Sequence, residues 1–294
     1  MRRRTTTEMW NALADPWRDA TSVRALLEVA LLGITGGALG CWLVFYGLSY
    51  SAESMAHAIF PGLVVAALIG VPILLGGAVG LVVAALAIAA AGRVPGVGRD
   101  TSVAIVVTAL FGLGAVLALA PATPAGLSGL LFGDLLGVSD LDLALAGGLA
   151  VVMLVALRLL HGPLLVVGFD RSSARGLGIR PALADAGLLL LLAAAILIAV
   201  QGLGNLLVVA VLIAPAATAR RLTKRIVGMM ALAAALAVLA GAAGVYLSFY
   251  AGTAGGASVA GMMIVLYVLA TVVERVRRPA RPRPSLAAPP PAVP

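Results

Sequence analysis

Long apolar runs, broken by short polar stretches, dominate the pattern along this 294-residue chain. Runs of about 18 to 20 apolar residues are what crossing a hydrocarbon core requires. They predict spans near 25–46, 51–71, 73–91, 101–120, 141–160, 183–200, 203–219, 226–249 and 257–274. The continuous stretch 51–91 must fold back near Val71-Pro72, and 183–219 near "QGLGN", where Gly202, Gly204 and Asn205 favour a turn. Runs such as "GLLLLLAAAILIAV" do not alternate apolar with polar residues, which excludes a membrane barrel. The expected fold is therefore all-α: a polytopic membrane protein with eight or nine transmembrane helices. Three regions follow: an N-terminal arm over 1–24, a transmembrane domain over 25–274, and a Pro-rich tail over 275–294 expected to be disordered and cytoplasmic.

Composition sharpens this picture. Apolar residues make up 62% of the chain and charged residues 11%, far from a soluble globular domain. The net charge of +8 raises the question of nucleic acid, but the basic residues sit in short loops and tails between spans. Arg93 and Arg99, then Arg171, Arg175 and Arg180, then Arg220, Arg221, Lys224 and Arg225 all fall on one side. The intervening stretches 121–140, 201–205 and 250–256 contain no Lys or Arg. That alternation is the cytoplasmic bias of a multi-pass protein of the cell membrane, with a cytoplasmic C-terminus and no nucleic-acid partner. Before residue 92 it leaves two topologies open. Nine spans put the N-terminus outside despite Arg2, Arg3, Arg4 and Arg18, whereas a re-entrant early segment gives eight.

Lys224 is the only lysine and lies in "RLTKRIV", so the chain has no nucleotide-binding P-loop. Candidate chemistry is confined to a few polar residues. In "SAESMAHAIFPG", Glu53 and His57 are four apart, which on a helix places them on one face a turn apart. An ionisable group within a span costs about 2.5–3.5 kcal/mol on insertion scales, so each is a functional candidate. A carboxylate and an imidazole suit zinc, manganese or iron, and two ligands leave the site open, as a passage requires. Pro61 lies four residues past His57 and would leave a backbone carbonyl unpaired there. The competing assignment is an interfacial Glu53 and a His57 bonded to a neighbouring helix.

Two further stretches carry chemistry. "GLSG" at 126–129 has the Gly-x-Ser-Gly form of an intramembrane serine protease built on Ser128, but His161 belongs to the opposite side of the membrane. "VVGFDRSSARGLGIRPALA" predicts a short helix from Arg171 to Leu177, capped by Asp170, stopped by Gly178, and apolar on one side through Ala174 and Leu177. That segment reads either as a docking surface for a cytoplasmic partner or as a solvated basic loop. Asp134, Asp140 and Asp142 either receive an outer partner or keep an outer loop wet.

Taken in order, five stretches resemble the permease subunits of metal-type ABC transporters, the ABC-3 family that imports zinc, manganese or iron. They are "ESMAHAIFPGLVVAALIG", "GRDTSVAIVVTALFGLG", "LFGDLLGVSDLDL", "FDRSSARGLGI" and "LLVVAVLIAPAATARRLT". The resemblance implies that Glu53 and His57 contact the metal in the translocation path. It places ATPase docking on the loop containing Asp170, Arg171, Ala174, Arg175 and Gly178. It also implies two copies of an ABC ATPase, a second copy of this permease, an extracytoplasmic metal-binding protein, and a lipid bilayer around the assembly. The chain itself would be no enzyme and bind no cofactor, the divalent metal ion being cargo. Two positions depart from the family pattern. Glu53 replaces the usual aspartate, and Ala56 replaces the serine before the histidine. The departures keep a same-fold permease with a non-metal cargo as an alternative, and a proton-coupled secondary transporter, with Glu53 exchanging protons, is another.

Overall fold

The computed structural model describes residues 15–91, 93–96, 99–119, 133–204 and 207–277. Its helices are α1 (Ala20–Phe45), α2 (Ser49–Ala58), α3 (Phe60–Ile69), α4 (Ile73–Ala91), α5 (Arg99–Ala118), α6 (Asp140–Phe169), α7 (Arg171–Gly176), α8 (Pro181–Leu203), α9 (Val208–Leu222), α10 (Ile226–Ala251) and α11 (Gly255–Arg277). A 3-10 turn, Leu135–Gly137, precedes α6. Among the described residues, seven segments are long and apolar enough to cross a membrane, with α2 and α3 together forming one of them. The short α9 runs among them, its 15 residues spanning about 22 Å.

Helix α1 is the centre of the bundle because its glycines let backbones approach. Gly33 and Gly37 pack on Ala237 and Ala233 of α10, which runs antiparallel, and Val29 fills the space above Gly241. Gly36 and Gly40 pack on Leu212 of α9, which runs parallel. Between helices in lipid, such close small-residue contacts supply the van der Waals attraction that the hydrophobic effect cannot. Leu39, Trp42 and Leu43 of α1 are fully buried, whereas Leu75, Val79 and Leu86 of α4 point outward. An apolar rim of that kind is what a bilayer covers.

The contacts also fix which ends share a face. At the start of α1, Arg24 pairs with Asp140 at 2.9 Å and Trp17 Nε1 donates to the Tyr246 hydroxyl at 2.8 Å. At its end, Arg220 donates to the Val44 carbonyl at 2.8 Å. Residues 15–24 therefore lie on the face of the arginine-free loops, opposite the basic one.

Two local expectations need correction. The first helix begins at Ala20, ahead of Ala25. Helix α6 continues through Pro163 to Phe169 instead of ending near 160. Burial of Leu164 and Val167 in the core offsets the proline's lost backbone bond. The turn at 70–72 forms as expected, with Gly70 left-handed at φ 73°. The tail beyond 277, the first 14 residues and Ser128 lie outside the described residues.

Candidate cation site and docking helix

Glu53 and His57 both lie on α2, whose other face is buried through Ala52, Ser54, Ala56 and Ala58. Small residues on that face bring α2 tight against its neighbours and turn the longer side chains away. Glu53 is exposed and His57 is half-buried. The edge of the His57 ring meets Phe111 of α5 at 5.2 Å between centroids, and Phe111 in turn packs on Phe60 at 5.5 Å. His57 Nδ1 is buried without a hydrogen-bond partner. An imidazole held in place with an uncommitted nitrogen is the chemistry a cation ligand needs. Glu53 makes no ion pair with another described residue. Among the described residues no three His, Cys, Asp or Glu side chains come together, so one chain offers two ligands at this place.

The helix breaks immediately after His57. Pro61 cannot donate to the His57 carbonyl, and α2 gives way to α3 at Ile59. The carbonyl is not left unpaired, however: the Ile59 N–H reaches it across the break.

On the basic face, Asp170 caps α7. Its carboxylate accepts from the Ser172 N–H at 2.9 Å and from the hydroxyls of Ser172 and Ser173. These donors favour the charged form and hold its pKa down at about 2. Arg171 makes a two-pronged bond to Asp185 of α8, at 2.8 and 2.9 Å, and this hydrogen-bonded carboxylate holds the guanidinium pKa up. Gly178 is left-handed at φ 75° and turns the chain toward α8. Ala174 is fully buried and Arg175 exposed.

Leu177 departs from the expected apolar side, being 69% exposed, and Phe169 at the end of α6 is 76% exposed. Phe169 also lines a groove of about 600 Å3 together with Phe45, Arg220, Lys224 and Arg225.

Asp134, Asp140 and Asp142 have local partners. Asp134 accepts from the Gly137 N–H at 3.0 Å, Asp142 completes a capping box with Ser139, and Asp140 holds Arg24. His161 packs its ring against Trp42 at 5.3 Å, at the basic end of the bundle. One acid escaped the sequence reading. Glu28, inside α1, is 1% exposed and its Oε2 has no hydrogen-bond partner. Its carboxylate fills the space a Cβ on Gly202 would occupy, 2.4 Å from Oε1. A lone acid within the first apolar run was the available signal.

The profile of the ABC 3 transport family matches residues 18–274. The chain belongs to that family. A manganese transport system membrane protein, MntC, of Halalkalibacterium halodurans is 37% identical over 212 residues, covering 72% of this chain and 73% of the relative. The chelated iron transport system membrane protein YfeD of Yersinia pestis is 31% identical over 207 residues, 70% of each chain. Among solved structures, PsaBC from Streptococcus pneumoniae in complex with Fab superposes with a TM-score of 0.82 at 25% identity, over 89% of this chain and 95% of that one. This ABC 3 family member is a membrane permease of an ABC transporter and not a catalytic subunit. The match extends through α2, α7 and α9, the helices that carry the polar features described above.

Proposed function

We propose that this permease carries manganese or iron inward, with Glu53 and His57 as the side chains that hold the ion in transit. Its relatives named above transport manganese in one case and chelated iron in the other. The observation that carries the site is the unpaired Nδ1 of His57, a turn from the exposed carboxylate of Glu53 on a broken helix. Non-helical backbone at membrane depth is tolerated where it is buried in protein or lines a cavity, and discontinuous helices form ion sites in other transporters.

Two ligands from one chain are completed by two from a second copy, giving a paired carboxylate–imidazole set suited to a borderline divalent cation. The basic face points to the cytoplasm and the N-terminal end of α1 outward. An extracytoplasmic binding protein delivers the ion to the outer face. Two copies of a separate ATPase grip the face formed by Asp170, Arg171, Ala174, Arg175 and Gly178, with exposed Phe169 and Leu177 as apolar anchors. ATP-driven closure of that pair moves α7, and Glu53 and His57 exchange the ion's water for protein ligands and release it again.

The test is accumulation of radiolabelled manganese and iron in cells lacking their own importers. The cells express this permease with its ATPase and binding protein. Uptake by the wild type, abolished in His57→Ala at equal membrane abundance, is the expected result. Wild-type uptake that survives His57→Ala removes His57 from the path, and no uptake of either metal by the wild type removes the cargo.

A further inference from the structure

Helix α2 is tied at one end to the docking region and broken at the other. At the tied end, α1 closes with Gly47 left-handed at φ 70° and the Leu48 N–H bonded back to the Leu43 carbonyl at 2.8 Å. This closed turn is of the kind that ends a helix without slack. The next turn begins at once, with the Ala52 N–H on the Leu48 carbonyl at 2.9 Å. No loose residue separates the end of α1 from Glu53.

The end of α1 is in turn fastened to the last turns of α6, directly before the docking helix. The Tyr46 hydroxyl donates to the Leu164 carbonyl at 2.7 Å. Phe45 meets Phe169 edge-on at 5.5 Å and lies over Gly168, where a Cβ would come 2.2 Å from its ring. From His57 onward the chain also packs on α5, through Phe111. Phe60 and Pro61 are packed on Gly114 of α5, and Gly62 on Gly76 of α4. The break at Ile59 therefore lies between a half-helix joined in sequence to the end of α1, whose His57 meets Phe111 of α5, and one packed on α4 and α5.

We propose that Tyr46 is the positioning residue through which movement of the Arg171–Gly176 helix reaches Glu53 and His57. This rests on the function proposed above. Its hydroxyl locks the α1–α2 turn to the stretch of α6 that leads into Asp170, so the two move as one body. Movement of that body would carry His57 across its contact with Phe111 of α5. Tyr46 touches no cargo; it sets when the two ligands close on the ion and when they open.

The test uses the whole complex, permease with ATPase and binding protein, in proteoliposomes. The readouts are manganese ions imported per ATP hydrolysed, Mn2+ affinity, and thermal midpoint. Tyr46→Phe removes one hydroxyl and keeps the ring. The expected result is a fall in ions per ATP of roughly three- to tenfold, the range that loss of one hydrogen bond allows, with affinity unchanged and the midpoint lowered by no more than about 2–4 °C. Should that variant assemble poorly, Phe45→Leu loosens the same junction and is expected to lower the same ratio. An unchanged ratio overturns the proposal, as does a fall that merely follows lost affinity or lost stability. Wild-type vesicles that import neither manganese nor iron overturn the cargo reading instead.

Discussion

Gly40 and Leu212 are in backbone contact: a Cβ on Gly40 would lie 1.8 Å from the Leu212 carbonyl oxygen and 2.9 Å from its carbon. Backbone cannot rotate away as a side chain can, so α1 and α9 would have to separate. Gly40→Ala is expected to destabilise the permease by about 3 kcal/mol, the upper part of the overpacking range. Gly261, with nothing within 4 Å of its Cβ position, is the control. Gly261→Ala should be neutral or gain about 1 kcal/mol of helix propensity. Thermal midpoints in detergent separate the two.

The buried acid Glu28 leads to a prediction of opposite sign. One of its oxygens is buried without a partner, a burden of about 1–3 kcal/mol. Glu28→Leu keeps comparable volume and removes the polar atoms, so the thermal midpoint should stay level or rise. Glu28→Ala empties the space beside Gly202 and should lower it, at a cost of about 2 kcal/mol. A Leu variant less stable than the Ala variant would contradict this account of the site.

Asp170 gives a pH prediction. Its folded-state pKa, about 2, lies below the ordinary 3.8. A depressed carboxylate stabilises the fold above its unfolded value and loses that contribution as pH falls through the folded one. Association with the ATPase should therefore owe nothing to Asp170 titration between pH 5 and 8, ranges set by those two values. Its contribution should fade only below about 4. Asp170→Ala should weaken co-purification at every pH above that, and Asp170→Asn should recover part of the cap.

The ion pair beside it calls for restraint. The side chains of Arg171 and Asp185 are 53% and 29% exposed, so a double-mutant cycle on stability should give under about 1 kcal/mol. Its two-pronged geometry matters more. Arg171→Lys should lose the orientation of α7, read as weaker ATPase association, while the midpoint hardly moves.

Much of this was legible in the sequence because membrane spans announce themselves by length and loop charge. The break near Val71-Pro72 and the cap and stop of α7 follow from single residues with strong local preferences. What the chain hid was tertiary. Pro163 marks a helix end by local rules, and only the burial of Leu164 and Val167 shows why α6 runs on. Leu177 looked like the apolar side of α7, but a six-residue helix has room to bury only Ala174. Glu28 was visible as an acid in an apolar run, yet its fit over Gly202 joins residues far apart in sequence. At α2 the sequence supplied the pair Glu53 and His57; the uncommitted Nδ1 and the Phe111 contact required coordinates.

Pulsed electron paramagnetic resonance of Mn2+ bound to the purified complex tests the cation site most directly. Coordination by His57 predicts modulation from an imidazole nitrogen in the wild type. That modulation should disappear in His57→Ala and persist, at weaker affinity, in Glu53→Ala. An identical nitrogen signal from wild type and His57→Ala would place the ion elsewhere and contradict the assignment of Glu53 and His57 to the path.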